Sequence, residues 1–233
     1  MISSPWIRKP DFRTIQEIDY NDYWKHRGWK LNHSLKSREN VILGIIPAGA
    51  RVADIGCGNS LLPVKLKEKG CTVSVADIST IVLDQYRTLG ISGFHIDLEK
   101  AKEIKLPQKF DYIILSEVLE HVRNPEQILQ ALKPFTKNFI ITVPNSAAYQ
   151  FRYGLMFRGH FFTQWVYHPS EHLRYWSHID FIDWLSAMKL TVISTPVADG
   201  FTLRGLVPWL PALWKNFLGY RMVYNCQVQG QDL

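Results

Sequence analysis

Between Arg51 and Val143 the chain alternates short apolar runs with longer stretches whose apolar residues recur at helical spacing. The runs Arg51–Ile55, Thr72–Ala76, Gly93–Ile96, Phe110–Leu115 and Asn138–Val143 each give way to Gly, Asp, Ser or Pro. Short apolar runs bounded in this way predict buried strands. Leu61–Lys69, Thr80–Leu89 and Pro125–Leu132 predict helices. Gly70 stops the first, and Pro125 opens the last at a position where a missing N–H costs nothing. Strands alternating with helices imply a doubly wound α/β domain with a mostly parallel sheet covered on both faces. Such sheets bind ligands at the carboxyl ends of their strands, near the reversal of strand order.

The flanks depart from this pattern. Residues 1–49 predict an N-terminal helical arm. Thr14–Arg27 is rich in aromatic and charged residues, and a second helical stretch from Leu31 to Ile46 ends at Pro47-Ala48-Gly49. Residues 50–233 form the main domain. Ten of the chain's 30 aromatic residues lie between Tyr149 and Trp176, which predicts a lid or acceptor-binding insertion at about 144–176 rather than another strand–helix unit. A helix at His178–Met188, a strand at Thr191–Thr195 and a last strand at Tyr220–Val228 follow. The apolar segment Phe201–Leu218 carries Trp209, Trp214 and two prolines. The prolines forbid one long amphipathic helix, so packing against the lid is expected ahead of contact with a membrane surface.

Composition narrows the function. The 233 residues are 46% hydrophobic and 21% charged, which excludes a disordered or fibrous chain. No run approaches the ~20 apolar residues of a membrane span, and the first residues lack the apolar core of a signal peptide, so a cytoplasmic protein is expected. The net charge of +6 suits an anionic acceptor, but it is spread without a dense basic run, so no nucleic-acid partner is expected. Cys57, Cys71 and Cys226 are too few and too scattered for a disulfide framework or a zinc site, and no metal is expected.

The candidate chemistry starts at Asp54-Ile55-Gly56-Cys57-Gly58-Asn59-Ser60, a strand end followed by a glycine-spaced turn that opens a helix. A dinucleotide site wants a third glycine where this chain has Leu61, and no Lys-Ser or Lys-Thr follows to make a P-loop. Asp77 lies 21 residues after Gly56, where an acidic residue holds a ribose diol. Asp97, between Ile96 and Leu98, can accept from an adenine amino group while its apolar neighbours flank the ring. Three carboxylates at successive strand ends select a cationic or neutral nucleoside over a nucleotide. Taken singly, each also reads as a helix N-cap or turn residue.

With these residues in place, the stretch from about Ala50 to Thr195 resembles the class I S-adenosylmethionine-dependent methyltransferases of the small type-11/type-23 kind, which have Rossmann-like sheets. The resemblance rests on Asp54-Ile-Gly-Cys-Gly58, Asp77, Asp97-Leu98, Ser116-Glu-Val-Leu-Glu-His-Val122, Val143-Pro-Asn145 and Glu171-His-Leu-Arg174. Part of it, Phe110–Val143 and the lid, is similar to the MetW branch. Ser60 departs from the pattern, where a glycine often stands.

The resemblance implies S-adenosylmethionine as cofactor and S-adenosylhomocysteine as product. It places Gly56, Cys57 and Gly58 at the methionine half, with Asp54 at its ammonium group. Asp77 and Ile78 fall at the ribose, Asp97 and Leu98 at the adenine, and Ser116, Glu117 and His121 near the sulfonium. Arg38 would pair with the cofactor carboxylate. His121 and His172 are the candidate general bases for a hydroxyl acceptor. The alternatives are a helix-start residue bonded to backbone for His121 and a lid anchor for His172.

The expected activity is methyl transfer to a small molecule, at oxygen of a saccharide or phosphorylated metabolite, in cell-envelope glycan synthesis. The rival is a MetW-like binding or regulatory partner of a homoserine acyltransferase. A homodimer through the aromatic insertion is a further expectation. The place after the fourth strand reads Ser116-Glu117-Val118-Leu119 rather than Asn/Asp-Pro-Pro-aromatic, which counts against base methylation.

Overall fold

The computed structural model describes residues 19–159, 172–203 and 205–230. Its strands are β1 Arg51–Ile55, β2 Thr72–Asp77, β3 Ser92–His95, β4 Phe110–Ser116, β5 Thr136–Pro144, β6 Leu190–Ser194, β7 Val197–Gly200 and β8 Gly219–Val228. They form one sheet in the order β3-β2-β1-β4-β5-β8-β6, with β7 pairing β8 beside that path. Strands β1 to β5 pair in parallel, and β8 runs antiparallel to β5, β6 and β7. The chain enters at β1, works outward to β3 and crosses back to β4. The order therefore reverses between β1 and β4, and the crevice at their carboxyl ends is the switch point. This is the doubly wound, mostly parallel sheet expected from the alternation of runs.

The helices are α1 Tyr20–Arg27, α2 Ser37–Ile45, α3 Leu62–Glu68, α4 Thr80–Thr88, α5 Pro125–Leu132, α6 Tyr149–Arg158, α7 His178–Ala187, α8 Leu210–Leu213 and α9 Lys215–Leu218. Successive strand residues point to opposite faces, and the strands divide accordingly. Val52, Ile114 and Ile140 pack with Ile42, Leu62, Leu66, Val82 and Tyr86 of α2, α3 and α4. Ala53, Ile55, Ile113, Leu115, Phe139 and Ile141 face Ile128, Leu129 and Leu132 of α5 and Phe181 and Leu185 of α7. Each large side chain fully buried this way contributes roughly 1.5–3 kcal/mol, so both faces must be covered for the sheet to persist.

Three boundaries differ from the sequence reading. Helix α2 begins at Ser37 rather than Leu31, because α1 ends at Gly28 (φ 65°) and the following residues lie along the glycine turn. There Asn32 N–H donates to Asn59 O at 3.0 Å and Trp29 Nε1 donates to Gly58 O at 3.0 Å. Strand β3 ends at His95, so Asp97 lies two residues beyond it. Strand β7, Val-Ala-Asp-Gly, is too short and polar to show as an apolar run.

The segment after β7 forms two short helices, α8 and α9, with Pro211 in the first turn of α8 and the break between them at Trp214, whose backbone is not helical. Phe201 and Phe217 pack their rings on Tyr149 of α6 at 5.1 and 6.2 Å, so this segment does rest on the start of the insertion. Much of the insertion, residues 160–171, lies outside the described residues. Among the described residues no helix is long and apolar enough to cross a membrane.

Candidate active site

The turn after β1 is glycine-spaced for reasons internal to the protein. Gly56 and Gly58 have φ of 72° and 54°, a region that penalises a side chain. A Cβ on Gly56 would stand 2.7 Å from Val118 Cγ2. A Cβ on Gly58 would stand 3.4 Å from Trp24 Cζ2, because α1 lies over the turn. Beyond Trp29 and Asn32, the turn is pinned by Tyr86, whose hydroxyl donates to Ser60 O at 2.6 Å. Asn59 Nδ2 donates to Lys30 O at 2.9 Å.

Beneath this turn the carboxylates gather. Asp77, the last residue of β2, accepts from Gly58 N–H at 3.0 Å through one oxygen and from Ser79 N–H at 2.9 Å through the other. Burial raises its pKa against the lowering by these backbone donors. Asp54 on β1 is 3% exposed. Burial, then the charges of Glu39 and Asp77, push its pKa up to about 7, with Arg38 opposing. Glu39, on α2, is 2% exposed. It accepts from Lys36 N–H at 2.8 Å and from Ser60 Oγ at 3.0 Å. Burial and the nearby Asp77 and Asp54 keep the Cys57 thiol protonated, so Cys57 lines the turn without being a nucleophile.

The third carboxylate behaves differently. Asp97 caps the short 3-10 helix Leu98–Glu103, accepting from Glu99 N–H at 3.0 Å, and faces Lys100 Nζ at 3.5 Å. The turn-residue alternative is thus realised in its hydrogen bonding. Leu98 packs against the core beside it, and Ile78, next to Asp77, remains exposed at 38%.

At the carboxyl end of β4, Ser116 Oγ lies 3.1 Å from Thr142 Oγ1 and accepts from Arg38 Nε at 3.1 Å. Arg38 therefore reaches the sheet edge from α2. Glu117 has φ of 58°, a strained conformation for a residue with a side chain. Its backbone N–H donates to Thr142 O at 3.0 Å, and its carboxylate accepts from Thr142 Oγ1 at 3.3 Å. Arg221 Nε of β8 stands 3.7 Å from the other carboxylate oxygen, while its Nη1 donates to Asp199 at 3.4 Å. Burial lowers the pKa of Lys36 first, and the charges of Arg38 and Arg221 lower it further, so three basic groups converge here.

The structure brings both candidate bases together. The His121 and His172 rings stand 4.6 Å apart, edge to face. They meet because Glu120 O accepts from Leu173 N–H at 2.7 Å and from Arg174 N–H at 3.2 Å, which fixes the segment around His172 against the turn. Burial and the neighbouring His121 push the His172 pKa down to about 3, so it is neutral but a feeble proton acceptor. Glu120 joins them, and ligand atoms of the three all lie within 4.8 Å of one another.

Glu39, Glu120, Trp24, Lys36, Thr142 and Arg221 escaped the sequence reading. Glu39 sits three residues into α2, the place of a helix-start acid, which hid its second role toward Ser60. Glu120 stood in the quoted Leu-Glu-His-Val segment without a role, and no local spacing points to Arg221.

Comparison with known proteins decides the family. A family model described as methionine biosynthesis protein MetW matches residues 36–226, most of the chain. The chain belongs to the MetW family. Among curated relatives, this MetW-family chain is 33% identical over 119 residues to a ubiquinone biosynthesis O-methyltransferase of Xanthomonas axonopodis pv. citri (strain 306), covering 47% of this chain and 50% of that one. It is 30% identical over 128 residues to the bifunctional methionine biosynthesis protein MetXA/MetW of Rhodopirellula baltica, covering 51% of this chain and 20% of that one. The chain spans about half the length, or less, of these curated relatives. Its fold matches the magnesium protoporphyrin IX methyltransferase of Synechocystis PCC 6803 solved with SAH bound, at a TM-score of 0.58 and 14% identity over 89% of this chain and 94% of that one. The sheet is thus of the kind found in S-adenosylmethionine-dependent methyltransferases.

Proposed function

We propose that this MetW-family protein is an S-adenosylmethionine-dependent methyltransferase acting on a small molecule. The observation that carries the reading is the buried pair Asp54 and Asp77 at the carboxyl ends of β1 and β2, with Glu39 of α2 buried beside them. Burial first, and then the charges of Glu39 and Asp77, raise the Asp54 pKa to about 7, with Arg38 opposing. A cation placed there relieves that repulsion, so the donor set fits an ammonium-bearing sulfonium nucleoside. When bound, S-adenosylmethionine supplies an electrophilic methyl group.

The residues divide the work. Asp77 has lone pairs beyond the two held by Gly58 and Ser79, and a carboxylate offers about four acceptor sites for ribose hydroxyls. Gly56, Cys57 and Gly58 form the floor for the methionine half, and Asp54 faces its ammonium group. Arg38 is the partner for its carboxylate. Ile78 and Leu98 provide apolar walls for the adenine, with Asp97 as acceptor for its amino group. Ser116 and Glu117 mark the edge where acceptor and methyl donor are brought together, and placement supplies most of the rate for an in-line transfer.

The acceptor is proposed to be an oxygen nucleophile on an anionic or phosphorylated small molecule, a saccharide of cell-envelope synthesis being one such class. Lys36, Arg38 and Arg221 support the anionic character, and the relatives named O-methyltransferases support oxygen. The reaction belongs in the cytoplasm, where the cofactor is made. The test is turnover: conversion of cofactor to S-adenosylhomocysteine with a metabolite extract, lost in Asp77→Ala. A chain that produces none with any extract fails this reading.

A second reading is favoured by the family match itself and by the fused MetXA/MetW relative. In it the chain supports a homoserine acyltransferase rather than transferring methyl groups. Co-purification with such an acyltransferase, with unchanged behaviour in Asp77→Ala, is its signature.

A further inference from the structure

The 3-10 turn after β4, Leu119–His121, and His172 packed against it carry groups that methyl transfer as outlined above does not use. Glu120 is 1% exposed, and neither of its carboxylate oxygens has a hydrogen-bond partner. His172 Nδ1 is also buried without a partner. Buried polar atoms are nearly always satisfied, and leaving one unmet costs about 1–3 kcal/mol, more for a charged group. Two such orphans side by side, with a second imidazole against them, form a site short of a positive centre.

We propose that Glu120, His121 and His172 bind one divalent transition-metal ion. Their ligand atoms already lie within 4.8 Å of one another. Bonds of about 2.0–2.1 Å in a tetrahedral centre place ligand atoms roughly 3.3 Å apart, within reach of small side-chain rotations. The backbone is set for it: the two N–H donors of Leu173 and Arg174 on Glu120 O hold the His172 strand against the turn. Glu117, whose carboxylate meets Thr142 and Arg221, is not part of this cluster.

Two imidazoles and one carboxylate favour zinc and its first-row neighbours over calcium or magnesium, which prefer all-oxygen sets. Among the described residues these three ligands leave at least one position of a tetrahedral centre for a further donor such as water or an oxygen of a small molecule. The turn follows directly on Ser116 and Glu117, so an ion here would stand at the sheet edge proposed for the acceptor. That placement rests on the methyl-transfer reading, whereas the metal site does not.

The experiment uses the full chain, stripped with a chelator and dialysed, without cofactor or acceptor. Calorimetric titration with Zn2+ is expected to give one ion per chain. Substitution with Co2+ is expected to give visible ligand-field bands of histidine–carboxylate ligation. Glu120→Gln and His172→Gln should each weaken Zn2+ binding by about tenfold or more and abolish the Co2+ bands. Circular dichroism and the denaturant midpoint of the metal-free variants establish that they fold. If one does not, the other decides. Absence of stoichiometric uptake, or uptake and bands unchanged in a folded variant, overturns the proposal. Because no cofactor is present, such a failure leaves the methyltransferase reading untouched.

Discussion

Asp54→Asn tests the electrostatics of the site. The aspartate pKa moves from an unfolded value of 3.8 to about 7 in the folded protein. Between those values the folded state holds a proton that the unfolded state has released. Stability therefore falls as pH rises through this window, and the full loss is present above it. Three units at ~1.4 kcal/mol each give ~4 kcal/mol as the upper bound. Asp77, whose pKa burial also raises, shares the same field and can take up part of the proton, which brings the expected effect to ~2–4 kcal/mol. Asparagine keeps the shape and removes the charge. The variant should thus be more stable than the wild type by that amount at about pH 8, and the difference should shrink toward zero near about pH 4. Urea unfolding of both proteins at several pH values measures it, and subtracting the curves removes the other titrating groups. A variant-minus-wild-type difference that is the same at every pH, or that falls as pH rises, refutes the argument that the Asp54 charge is destabilised in the folded protein.

Other outcomes follow from single contacts. Gly56→Ala places a Cβ 2.7 Å from Val118 Cγ2 at φ 72°, and should cost about 1–3 kcal/mol in thermal unfolding. Adding Val118→Ala should recover only the steric part. Asn145 donates through Nδ2 to Gly219 O at 2.7 Å and accepts from Ala147 and His178 N–H at 3.0 and 3.1 Å. Asn145→Ala strands these buried groups and should lower stability by ~3 kcal/mol or more in denaturant titration. Arg51 and Asp111 are about half-exposed at 3.2 Å. Arg51→Ala should change the unfolding free energy by less than ~1 kcal/mol, less still in high salt.

The centre of the sheet was legible because β1, β2, β4 and β5 are largely buried on both faces and so read as apolar runs between turn residues. Gly56, Gly58 and Asp77 were legible for a related reason: a strand-to-helix turn at the switch point constrains residue type within a short window. Asp97 shows the limit of that reasoning, since the same position serves a helix cap, and its carboxylate accepts from Glu99 N–H beside Lys100. Groups assembled from distant segments left no local trace. His121 and His172 are 51 residues apart in the sequence, and their meeting depends on two backbone hydrogen bonds to Glu120. Arg221 arrives on an antiparallel strand added after the parallel core, and Glu39 looked like an ordinary helix-start acid. Strand β7 was missed because it pairs at the side of β8 and needs no apolar run.

The central claim is best met by isothermal titration of S-adenosylmethionine into the purified chain and into Asp77→Ala. The account predicts one molecule bound per wild-type chain and an affinity at least about tenfold weaker in the variant, from the loss of charge-assisted hydrogen bonds. A folded wild-type chain that takes up none, or a variant that binds as tightly as the wild type, contradicts it.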